Sequence, residues 1–220
     1  MSRMFMISSA LAIGAMSAAP SSANPLPVGS SGIMPDPFGN ITGVVVASIL
    51  GKPFGSPTVS GTYSTEVIST ATGLDFLIQI TASTTSEPLA TISTGEYPAS
   101  IIPDAGYLTT GSTAGGLTSA AGDVAPVNMA RPSAAIDFNF SPPPGFIGPG
   151  QTSDVLVLET TATTFTTGSI GIIDSTTATV AGFAPVPGPI VGAGLPGLVA
   201  GCLGLVGLAR RRVHKLRGVA

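Results

Sequence analysis

Any chemistry in this chain falls to carboxylates. Its 220 residues include one cysteine, Cys202, and one histidine, His214, and neither lies between residues 24 and 184. Ser-His and Cys-His nucleophilic catalysis are therefore excluded from that stretch, because each needs a base beside the nucleophile. Zinc and copper sites lack their nitrogen and sulfur ligands there. What remains is eleven Asp and Glu residues, all from Asp36 to Asp174. Two of them could cleave a glycoside as acid and base or nucleophile, and several with loop carbonyls could hold calcium. No D-x-[DN]-x-[DN]-G loop occurs, and Asp137 and Asn139 in "DFN" would point the same way along a strand with no turn to close a cage. The acids read as scattered, solvent-facing positions whose role is solubility. The sequence thus assigns no catalytic residue, no metal and no cofactor, and the expectation is that the protein is not an enzyme.

The elements that would position those acids are strands. In "GLDFLIQITA", Leu74, Phe76, Ile78, Ile80 and Ala82 alternate with Asp75, Leu77, Gln79 and Thr81. In "AIDFNF", Ile136, Phe138 and Phe140 alternate with Asp137 and Asn139. Period two predicts half-buried strands with one face on a core. "ITGVVVASIL", "GTYSTEVIST", "SDVLVLETTATTF" and "GSIGIIDSTTATVAGF" add β-branched runs punctuated by Gly, Pro and Ser. Thr fills six of the eight positions from 160 to 167, which favours strand over helix. Residues 174–176 should turn a hairpin. The proline-rich stretch 141–151 should connect strands across the domain, since proline donates nothing to a ladder. From residue 95 to 129 the pattern fits either a long loop region or strands that cannot be placed. The expected fold is an all-β, antiparallel β-sandwich ectodomain followed by a single C-terminal transmembrane helix.

Charge and apolarity are both unevenly distributed. The central segment has only Lys52 and Arg131 against eleven acids, a net charge of −9, which excludes nucleic acid as a partner. Mean hydropathy is +0.52, and the excess apolarity sits at the ends. Residues 1–23 have a basic start at Arg3, an apolar stretch from Met4 to Met16, and Ser21 and Ala23 placed for cleavage before Asn24. This is the layout of a secretory signal peptide. Residues 190–209 carry no charge and are long enough to span a bilayer as a helix. Arg210, Arg211, Arg212, Lys215 and Arg217 follow in the basic tail 210–220 and should stay in the cytoplasm, leaving the acidic segment outside the inner membrane. Gly194, Gly197, Gly201 and Gly204 would form one stripe on that helix, allowing another helix close approach.

Ahead of the span, residues 185–189 are "PVPGP". A short proline motif, one apolar span and a terminal arginine cluster together resemble the PEP-CTERM sorting signals of Gram-negative bacteria. The motif falls on Val186, Pro187, Gly188 and Pro189, with Gly188 where that family has Glu. The resemblance implies an exosortase as processing partner and an extracellular polysaccharide setting. The stretches "TGLDFLIQI" and "IGPGQTSDVLVLETTATTFTTGSIGIIDSTTATVAGFAP" are similar to the β-rich domain often found upstream of such tails, which implies fold and address but no chemistry.

The expected organisation is a signal peptide (1–23), an ectodomain (24–184), a sorting motif (185–189), a span (190–209) and a cytoplasmic tail (210–220). The expected function is an exported envelope or extracellular-matrix protein of structural or adhesive type. Two other readings stay open. A carbohydrate-binding module would want exposed aromatics, yet the chain has no Trp and only Tyr63, Tyr97 and Tyr107. A plain single-span membrane protein would have the same topology with no exosortase processing.

Overall fold

The computed structural model describes residues 25–142 and 145–187. The strands, in chain order, are β1 (Ser30–Ile33), β2 (Asp36–Phe38), β3 (Val44–Gly55), β4 (Ser60–Ser69), β5 (Leu74–Ala82), β6 (Thr91–Thr94), β7 (Asp104–Leu108), β8 (Thr113–Ala114), β9 (Leu117–Thr118), β10 (Asn128–Arg131), β11 (Ile136–Asn139), β12 (Leu156–Glu159), β13 (Thr164–Ile173) and β14 (Thr177–Val186). Among the described residues there is no helix, and so none long and apolar enough to cross a membrane. The span, the glycine stripe, the basic tail and the signal segment read from the sequence lie outside the described residues.

The strands form two six-stranded sheets and a two-stranded ribbon. The first sheet runs β1-β10-β11-β6-β13-β14 and the second β2-β7-β12-β5-β4-β3. Pairing is antiparallel except between β2 and β7, which run parallel, a departure from the all-antiparallel expectation. That pairing is close: a Cβ at Gly106 would lie 1.9 Å from the Asp36 carbonyl oxygen, so only glycine fits.

Alternation builds the core. Phe76, Ile78 and Ile80 of β5 and Leu156 and Leu158 of β12 join Ile92 of β6, Ile136 and Phe138 of β11 and Ile170 and Ile172 of β13 in one buried cluster. The two sheets therefore face each other across shared apolar side chains, whose burial contributes about 1.5–3 kcal/mol for each large residue. Phe76 and Tyr97 meet edge to face there, with ring centroids 5.7 Å apart. Hairpins at Thr70–Gly73 and Asp174–Thr176 close with backbone hydrogen bonds of 2.9 and 3.0 Å, the second at the predicted turn. Residues 141–151 carry the chain from β11 in one sheet to β12 in the other, as the prolines suggested.

The structure refines three of these readings. β5 is not half-buried: Asp75 and Leu77 are buried too, on the face turned away from the main core. There Leu77, Val157, Leu108 and Ile68 form a second cluster with Ala114 and Leu117, which belong to the β8–β9 ribbon folded over that face. The stretch from 95 to 129 thus holds β7, β8, β9 and the start of β10: Ala114 and Leu117 in its middle cover this second core, while Tyr97 and Ala105 belong to the main one. Finally, "SDVLVLETTATTF" is two strands in different sheets, with residues 160–163 crossing between them.

Candidate functional site

The acids are not uniformly solvent-facing. Asp75 is 1%, Glu66 2% and Asp154 4% exposed, which corrects the reading of all eleven as surface groups. Strand register explains how they come together. Glu159 at the end of β12 lies directly opposite Asp75 of β5 on one side and Asp104 of β7 on the other. Residues directly opposite share a face, with Cβ atoms about 4.5–5.5 Å apart. Three carboxylates therefore stand in a row across three adjacent strands on the outer face of the second sheet. Asp36 enters from β2, the neighbour of β7.

A cavity of about 500 Å³ opens at this end of the sheet. Residues 37–42, the end of β2 and the loop after it, form one wall, the β4–β5 turn at 70–72 forms another, and Asp75 and Glu159 complete the lining. No Lys or Arg lines it. Loss of hydration drives the Asp75 carboxyl up to about 7, the neighbouring Glu159 charge adds to this, and the Thr160 backbone N–H opposes it. Glu159 is raised by burial first, then by Asp104 and Asp36. The Oδ1 of Asp75 is buried with no hydrogen-bond partner.

The remaining acids of interest sit in other surroundings. Glu66 of β4 accepts the Gly116 N–H at 2.8 Å, so the ribbon's turn sits on its carboxylate. Burial raises Asp154, a hydrogen bond from the Ser119 hydroxyl lowers it, and Asp123 raises it further. Asp137 and Asn139 belong to a ladder of side chains on the outer face of the first sheet: Ser93 donates to Asp137, Thr91 donates to Asn139 Oδ1 at 3.1 Å, and Asn139 Nδ2 donates to Asn128 at 2.9 Å. Both side chains point the same way, as expected of a strand.

Of the residues read as a sorting motif, Val186 ends β14, paired with Thr164 of β13, and Pro187 follows it exposed. The last strand thus runs two residues beyond position 184. Gly188 and Pro189 lie outside the described residues, as do the glycine stripe and the basic cluster.

The acidic row was not foreseen, yet a signal for it existed. Leu77 and Val157 occupy the same strand phase as Asp75 and Glu159. Large apolar residues on that phase mark a covered face, and acids sharing it are drawn into partial burial. No family model matches the chain, and no curated protein or solved structure matches it significantly.

Proposed function

We propose that the protein is an exported, envelope-associated β-sandwich of structural or adhesive type, carried on a PEP-CTERM-like sorting tail. The observation that carries this reading is the order of the two ends: an export-type leader before Asn24, and a proline motif, a 20-residue uncharged run and five clustered cations after it. Export places the acidic domain outside the inner membrane. The cations hold the C-terminus in the cytoplasm, and "PVPGP" meets a processing enzyme at the outer surface of the bilayer. The domain has no histidine or cysteine with which to build a nucleophilic centre, and we assign it no catalytic activity. In favour of structural use over sugar binding, no aromatic ring among the described residues is fully exposed for stacking on a sugar.

The test is the mass of the mature protein in envelope fractions of otherwise identical strains with and without an exosortase. A chain starting at Asn24 and lacking its tail only where the enzyme is present supports the proposal. A tail retained in both strains makes the protein a plain single-span membrane protein, and an intact Met1 removes the export argument.

A further inference from the structure

We propose that the acidic row is a site for one hard divalent cation of the calcium class, held by the Asp75 and Glu159 carboxylates and completed by oxygens of the surrounding loops. The proposal is independent of the sorting tail. Register puts these two carboxylates directly opposite each other on β5 and β12. Both line a cavity of about 500 Å³, far more space than two side chains need. The second observation is Asp75 itself: it is 1% exposed, it lines the cavity, and its Oδ1 has no hydrogen-bond partner. A buried acceptor left in this state destabilises the fold, the more so when it is charged. Asp104, in register with Glu159 on its other side, adds negative charge with no basic side chain in the lining. A bound dication would supply the missing counter-charge.

The donors decide the kind of ion. Thr42, Thr70 and Thr72 line the same cavity and offer hydroxyl and carbonyl oxygens, while no nitrogen base or sulfur does. Oxygen-only donors select calcium or magnesium over zinc and copper. An open cavity walled by loops suits the irregular coordination of calcium by about 6–8 oxygens better than the strict octahedron of magnesium. Among the described residues no three acidic side chains converge closely enough for an all-carboxylate cage. The expected affinity is therefore that of weak extracellular calcium modules, about 0.1–1 mM.

The test uses the full chain in a non-ionic detergent, stripped with chelator and then titrated with CaCl₂ by equilibrium dialysis and by thermal unfolding. One calcium should bind saturably and raise the melting temperature. Asp75→Asn and Glu159→Gln should each weaken binding at least about tenfold, while Asp137→Asn, on the other sheet, should not change it. If Asp75→Asn fails to fold, Glu159→Gln carries the test. Absence of saturable binding up to about 10 mM overturns the site, as does parental affinity in the folded Asp75 and Glu159 variants or equal loss in Asp137→Asn.

Discussion

Arg131 and Asp154 lose hydration in different ways and are compensated differently. The Arg131 side chain is fully buried, and its terminal nitrogens bond to backbone carbonyls. Its Nη1 donates to the carbonyls of Leu26 and Ile101 at 3.0 and 2.8 Å, and its Nη2 to those of Tyr97 and Pro98 at 3.0 and 2.8 Å. Burial lowers its pKa and Tyr97 opposes that shift, but a guanidinium remains charged in a protein. Four carbonyl dipoles thus hold a cation that ties β10 to the N-terminal segment and to the loop before β7. Asp154 is compensated less well: one oxygen has no partner, and Asp123 lies close by. Its carboxyl is raised in the fold, so the fold binds this proton more tightly than the unfolded chain does. That contribution to stability is complete below the unfolded value near 4 and is lost as pH rises through the raised folded value. Asp154→Asn should therefore gain stability relative to the parent as pH goes from about 4 to about 7.5, read as the difference in melting temperature at each pH. A difference that does not change with pH would contradict this.

Among the elements, the β8–β9 ribbon is small but consequential, because it converts the outer face of the second sheet from surface into core. Its turn contains Gly115 at φ +56, and a Cβ there would come within 2.1 Å of the Glu66 carboxylate. Gly111 also has positive φ, at +83, but has nothing within 4 Å of the added carbon. Gly111→Ala should show the backbone cost alone, about 1 kcal/mol, and Gly115→Ala should cost clearly more. Denaturant unfolding of the two variants separates the terms, and equal losses would mean that the contact with Glu66 carries no weight. At the edge of the same sheet, β3 is a 12-residue strand with Val44, Val46 and Leu50 exposed. Lys52 on that strand is exposed as well, a charge of the kind that discourages edge-to-edge pairing.

For the whole molecule, the main stabilising device is one apolar core between two sheets, with a second core beneath the 109–127 segment. Neither contains a cysteine, and the sole cysteine of the chain lies at 202. Residues 25–187 expressed alone should fold in reducing buffer and give a β-type circular dichroism spectrum. Their charge of −9 has one of its two cations buried, so the charge at the surface is almost wholly negative and repels itself. Raising NaCl from about 0.01 to 0.3 M should raise the melting temperature, because screening shortens the range of that repulsion. A helical spectrum, or a melting temperature that falls with salt, would contradict these two arguments respectively.

Local pattern sufficed for much of this. Period two in 74–82 and 136–140 identified β5 and β11, the 174–176 turn was legible between two β-branched runs, and the proline stretch had to be a crossing. Each of these rests on the chemistry of neighbours in the chain. The burial of Asp75, Glu66 and Asp154, the parallel seating of β2 on β7, and the row formed by Asp104, Glu159 and Asp75 depend on registers between strands far apart in sequence. Alternation shows that a strand has two faces, but it does not show what lies over the second one. Only the packing of the ribbon and the loop after β2 onto that face turned soluble-looking acids into a buried acidic site.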